Sequence, residues 1–269
     1  MNNYMKLIGI KAKKSCENRL NTKKKNLVLN DYAKLLDKEK KFITRENLKD
    51  IKFAKKIKLK ENLINRLQLN RAKLNSIKIS IKKIAKLKDP VNNTLEKWKR
   101  PNGLTISRIT IPIGVIGVIY ESRPNVTSDV ASLCFKSGNA VILKGGSEAI
   151  NTNKALAKLF RKALKKNKVD ENFIQFIDSK QKKIVDIMLS KMRDYIDVII
   201  PRGGKGLVKK VQEFSKIPII GHLEGLCHTY IDKDAELKMA IEVVHNAKLR
   251  NTSICGATET ILMHKNIVK

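Results

Sequence analysis

The sequence is poor in cysteine, aromatic residues and acid, and each shortage removes a class of protein. Only 4 of its 269 residues are cysteine, at positions 16, 134, 227 and 255, and no two of them form a C-x-x-C pair. That spacing argues against a zinc site and a disulfide framework, and it suits a reducing compartment. Aromatics make up 5%, and they do not interleave with the basic residues as a base-stacking platform would. Long hydrophobic runs are missing too. The longest, ITIPIGVIGVIY, falls well short of the ~20 residues that a membrane helix needs. The N-terminal stretch has no apolar core followed by a small-residue cleavage site, so no secretory signal is read there. The expectation is a soluble, cytoplasmic protein with no bound metal, no membrane partner and no nucleic-acid partner.

What the chain has in excess is base: 57 Lys+Arg against 25 Asp+Glu, a net charge of +32. The excess is concentrated in residues 1–100, which carry 30 basic against 9 acidic side chains. It is mostly lysine, spread among Ile and Asn in helix-like segments, and it reads as solvated faces. Such a field still draws in phosphorylated ligands. At 42% hydrophobic residues, the chain can bury a large core.

Residues 1–90 read as helices with apolar positions near a 3.6-residue period, ended by Asp89-Pro90. After Pro101-Asn102-Gly103 the texture changes. GVIGVIY, NAVILKGG, FIQFID, DVIIPRGG and IPIIGH read as strands. They alternate with SDVASLCFKSG (Ser128 as N-cap), SEAINTNKALAKLFRKALKKN, QKKIVDIMLSKM and KGLVKKVQEFS as helices. That alternation is the mark of a parallel sheet with helices on both faces. CHTYI and a further helix, DAELKMAIEVVHNAKLR, follow.

Four stretches carry chemistry. VILKGGSEA and VIIPRGGKG end strands in diglycine, each beside a cation, Lys144 and Arg202. Gly145-Gly146 and Gly203-Gly204 either make tight turns or let the backbone approach the phosphates of a nucleotide at a helix N-terminus. YESRPNVTSDV is either a polar loop or an anion site. In it Arg123 would fork onto a phosphate and Asn125 would donate to an oxyanion. RNTSICGATET sets Cys255 among small residues, as core packing or as a nucleophile on a turn. GHLEGLCHTY brings His222, Glu224, Cys227 and His228 close in sequence. On a strand, neighbouring side chains diverge, which argues against a metal there.

TIPIGVIGVIYESRPNVTSDVASLCFKSGNAVILKGGSEA, IPRGGKGLV, IPIIGHLEGLCHTYID and NAKLRNTSICGATET closely resemble the gamma-glutamyl phosphate reductases, a branch of the aldehyde dehydrogenase superfamily. The resemblance implies a Rossmann-like cofactor domain with N-terminal helices (residues 1–100), an NADP-binding α/β part (101–221) and the start of an α/β catalytic domain (222–269). It implies NADPH-dependent reduction of L-glutamyl 5-phosphate to L-glutamate 5-semialdehyde through a thioester on Cys255, the second step of proline biosynthesis from glutamate. The alternatives are an aldehyde-oxidising relative or a basic nucleic-acid-binding protein. By the same resemblance Lys144 contacts the adenosine ribose, with Gly145, Gly146, Ser147, Arg202, Gly203 and Gly204 around the cofactor. Ser147 falls where NAD-preferring members carry a glutamate, which favours NADPH. Arg123 or Asn125 serves the oxyanion. His222 falls where aldehyde oxidisers hold a water-activating glutamate, which fits a reductase. A homo-oligomer and coupling to glutamate 5-kinase are also implied. Family chains continue well past the Cys255 motif, so residues 1–269 alone are expected to be poorly active.

Overall fold

A computed structural model describes the whole chain except Met1, Asn2, His222, Glu224, Ser253 and Lys269. Its elements run α1 (Asn3–Cys16), α2 (Thr22–Lys38), α3 (Lys40–Lys56), α4 (Glu61–Leu67), α5 (Arg71–Lys86), β1 (Thr94–Lys99), β2 (Thr105–Ile109) and β3 (Val115–Tyr120). They continue with α6 (Pro124–Lys136), β4 (Ala140–Gly145), α7 (Ile150–Lys166), β5 (Ile174–Phe176), α8 (Lys183–Lys191), β6 (Val198–Arg202), α9 (Lys205–Phe214), β7 (Cys227–Ile231), α10 (Leu237–Leu249) and β8 (Thr258–Met263). The chain divides into two compact units, Met1–Gly221 and His222–Lys269.

In the first unit four parallel strands lie in the order β5-β4-β3-β6. Every residue of β3 and β4 is buried. Their apolar runs show no alternation because both faces are covered. The chain steps outward from β3 to β4 to β5, then returns to add β6 on the other side of β3. In such a sheet the reversal creates a crevice at the carboxyl ends of the central strands, where ligands bind. Tyr32, Phe135, Phe160 and Phe173 pack in series behind the sheet, with ring centroids 4.4–5.8 Å apart.

One buried cation is paired with a carboxylate. Lys25 on α2 donates to both oxygens of Asp89 at 2.9 and 3.0 Å, and Thr22 adds a third hydrogen bond at 2.8 Å. This cluster pins the end of α5 just where Pro90 stops it.

Three local expectations are corrected. Helix α6 begins at Pro124 with Arg123 as N-cap, not at Ser128, because proline is well suited to the first helical position. Ser128 is buried and shares a hydrogen bond with Tyr32 Oη at 2.6 Å. Residues 94–99 form the first strand of a solvated antiparallel hairpin with β2, inside the 1–100 segment that the resemblance assigned to N-terminal helices. The described residues of IPIIGH, 217–221, yield only a bridge, Ile199 to Ile219. Pro218 has no N–H to give a longer ladder.

The second unit pairs β7 with β8 in parallel and packs α10 against β8. No described residue of α10 is buried.

Candidate active site

At the carboxyl edge of the first sheet, Tyr120 at the end of β3 stands between Gly145 of β4 and Arg202 of β6 in the strand registers. The two diglycine stretches, 58 positions apart in sequence, therefore flank one strand end. The YESRP loop leaves from the same point.

Carboxylates close this edge. Ser122 adopts a left-handed conformation, φ 38°, and is held there by Glu148. One Glu148 oxygen accepts the Ser122 amide at 2.7 Å and its hydroxyl at 2.8 Å. To do so the Glu148 side chain crosses over Gly146, where an added Cβ would collide with it. Glu121 accepts the Gly204 amide at 2.8 Å, at the N-terminus of α9, whose cap residue has no side chain of its own. Helix α7 is capped from outside. Buried Asp50 of α3 accepts the Asn151 and Thr152 amides at 3.2 and 2.7 Å, and the Thr152 hydroxyl at 2.6 Å. Each of these groups lowers the cost of unpaired N–H donors near a helix start. Of the three carboxylates only Glu121 belongs to an exposed residue.

Lys144 is buried, and its ammonium donates to the Gly145 carbonyl at 2.6 Å. Burial pulls its pKa below the ordinary lysine value, and the nearby Glu148 charge opposes that. Ser147 opens a short 3-10 turn and is half-buried. Arg202, Gly203 and Gly204 are exposed. Asn125 donates to Asp129 at 3.2 Å, and burial raises the pKa of Asp129. Arg123 is half-buried at the start of α6. Beneath Gly145 a buried chain runs from the Tyr120 hydroxyl to Thr127 (2.7 Å) and on to the Asn153 carbonyl (3.0 Å). The Asn153 amide nitrogen is buried without a partner and faces Gly145.

In the second unit, Cys255 is exposed on an irregular turn before β8. Gly225 lies against it so closely that a Cβ there would collide with the Cys255 carbonyl oxygen. Cys227 donates its thiol to that oxygen at 3.2 Å. The His228 ring turns back to the Leu226 carbonyl at 2.9 Å. His222 and Glu224 lie outside the described residues. The other two cysteines are unlike Cys255. Burial pushes the Cys134 thiol up to about 12. Burial raises Cys16 as well; its sulfur donates to the Gly114 carbonyl and accepts the Ala140 amide, both at 3.2 Å.

Sequence reasoning missed Glu121, Asp50 and Gly225. A signal for the first was present: Gly204 opens a helix with no capping side chain, so an acceptor has to come from elsewhere. Asp50 lies 101 positions from the helix it caps, and nothing local marks it.

The curated gamma-glutamyl phosphate reductase of Hydrogenobaculum sp. is 44% identical, covering 100% of this chain and 62% of that protein. The crystal structure of gamma-glutamyl phosphate reductase from Thermotoga maritima superposes with a TM-score of 0.89 at 37% identity, over 97% of this chain and 63% of that one. The enzyme of the same name from Saccharomyces cerevisiae gives a TM-score of 0.75 at 32% identity, over 98% and 66%. The chain thus spans about three-fifths of the length of the curated relatives it matches. A sequence model of the aldehyde dehydrogenase family matches residues 11–269, nearly the whole sequence, and with the shared fold it establishes that this chain belongs to the aldehyde dehydrogenase family.

Proposed function

We propose that the protein reduces L-glutamyl 5-phosphate to L-glutamate 5-semialdehyde, with Cys255 as nucleophile and NADPH as preferred reductant. The observation that carries the reading is Cys255 itself. It is the exposed cysteine among the four, placed on a turn and backed by a glycine that leaves room for nothing larger. The thiolate would attack the acyl phosphate carbon and expel phosphate, leaving a thioester. Small neighbours such as Gly256 and Ala257 leave space for an acyl group.

Family membership implies a nicotinamide cofactor, and the crevice at the end of β3 fits one. Lys144 has a backbone carbonyl rather than a carboxylate as its hydrogen-bond partner, so a ligand anion can join it. Glu148 has one carboxylate oxygen engaged by the Ser122 amide and hydroxyl. Ser147 brings no charge. A 2′-phosphate would therefore meet the Lys144 cation with no carboxylate at position 147, the Glu148 charge standing beside that cation. Arg202 and the N-terminus of α9 would take the pyrophosphate, with exposed Glu121 giving up the Gly204 amide. The bound cofactor supplies the reducing equivalents for the thioester carbonyl. Arg123 or Asn125 would donate to the oxyanion; the Asn125 amide also donates to Asp129. A homo-oligomer and the coupling to glutamate 5-kinase rest on family resemblance.

The test is phosphate-dependent oxidation of L-glutamate 5-semialdehyde, read together with intact mass for an acyl adduct. In a chain extended to the length of its relatives, Cys255→Ser should lose both turnover and adduct, while Cys16→Ser, Cys134→Ser and Cys227→Ser keep them. Wild-type-like turnover in Cys255→Ser, or an adduct at another residue, overturns the assignment. For the cofactor, Ser147→Glu should shift preference from NADPH toward NADH. Equal affinity of the parent protein for the two would refute the ribose site.

A further inference from the structure

We infer that Cys227 is a resolving thiol for Cys255: when a hydroperoxide oxidises Cys255, the two cysteines close a disulfide. The pair lies within one compact unit, 28 residues apart, and the contact is direct. Cys227 Sγ donates to the Cys255 carbonyl oxygen at 3.2 Å. Since a carbonyl oxygen lies about 2.4 Å from its own Cα, Cys227 Sγ is within about 6 Å of the Cys255 Cα. Adding the ~2.8 Å between that sulfur and its own Cα, the two Cα atoms are at most about 8.4 Å apart, against the roughly 4.4–6.8 Å of a disulfide, so closure takes a shift of the Cys255 turn together with side-chain rotation.

Three features let the sulfurs meet. The β7–β8 register slips between Cys227 and His228, which loosens the ladder at the residue that would move. On the other side, Cys255 sits on a turn held by short-range bonds, Ile254 to Asn251 at 3.4 Å and Ala257 to Ile254 at 3.1 Å. Gly225 adds a third feature, since its lack of a side chain brings the strand carrying Cys227 up against Cys255.

The chemistry balances with a hydroperoxide as the one added reactant. The Cys255 thiolate attacks a peroxide oxygen, the O–O bond breaks, hydroxide or alkoxide leaves, and the sulfur becomes a sulfenic acid. The Cys227 thiolate then attacks that sulfur, the S–O bond breaks, and the departing hydroxide takes up a proton to become water. Two thiols have given two electrons, and a dithiol reductant reverses the change. The nucleophile is masked and spared irreversible oxidation to the sulfinic acid. Cys16 and Cys134 belong to the core of the other unit and remain thiols.

The experiment is peptide mapping of the 269-residue protein without reduction, after a few equivalents of hydrogen peroxide. A linked peptide joining Cys227 to Cys255 is expected, absent from both Cys227→Ser and Cys255→Ser and removed by dithiothreitol. With dimedone present, Cys227→Ser should hold on the order of tenfold more sulfenic adduct at Cys255 than the parent protein, and Cys227→Ala should behave in the same way. Equal adduct in parent and both variants, or Cys255 sulfinic acid in the parent with no linked peptide, overturns the inference. The mapping reads no turnover, so its failure is distinct from failure of the proposed function.

Discussion

The two units of this chain are made of the same material and finish differently. Up to Gly221, strands β3 and β4 are buried on both faces, and aromatic rings fill the space between sheet and helices. From His222 onward, Ala257 and Thr258 are the only described residues that are buried. Leu237, Met239, Ile241 and Val243 of α10 stay 50–66% exposed. A four-stranded sheet with helices on both sides closes its own core. A two-stranded parallel pair with one helix cannot, since it has one apolar layer and nothing opposite. The nucleophile candidate lies in the unit with the thinner core, and the candidate cofactor crevice in the unit with the closed one.

The largest effect that would sharpen this contrast is a cavity. Phe160→Ala removes a ring packed on both Tyr32 and Phe135 and should cost about 3–5 kcal/mol. Ile241→Ala on α10 should stay within about 0.5 kcal/mol. Urea unfolding of the two variants checks this, and similar costs would show that the second unit has a core of its own.

Next is Gly225→Ala. The new methyl would push the Cys255 turn aside, so acylation of Cys255 should slow on the order of a hundredfold. Unfolding of the first unit should be unchanged. Unaltered acylation would mean that Gly225 does not position the thiol.

A smaller effect concerns acid. Burial works to raise the Asp89 pKa, but hydrogen bonds from Lys25, Thr22 and the Val91 amide, with the Lys25 charge, leave it below the ordinary value. A depressed carboxylate contributes stability above its unfolded pKa of about 3.9, lost as pH falls through the lower folded value. The denaturation midpoint should therefore drop more steeply below about pH 4 in the parent protein than in Asp89→Asn. Parallel curves would remove the pair from the acid response.

The smallest effect is expected at Lys162, whose 3.1 Å ion pair with Glu39 is solvated. Lys162→Ala should cost under about 1 kcal/mol by the same unfolding measurement. A larger loss would mean that the basic surface stabilises the first unit more than its solvation suggests.

Much of this was legible in the residues. Continuous apolar runs gave β3 and β4, Asp89-Pro90 ended the helical segment, and Cys255 stood out by its small neighbours. These signals are local, because backbone preference and side-chain period act over a few positions. The sequence by itself determined the alternating elements and the diglycine stretches that end two strands, and family resemblance singled out Cys255 as the candidate nucleophile. Only the tertiary structure decided that Gly145 and Arg202 flank one strand end, that Asp50 caps α7, and that Cys227 touches Cys255. Those are pairings between residues 28 to 102 positions apart, set by strand order and by carboxylates seeking unpaired N–H groups, and no short-range pattern encodes them.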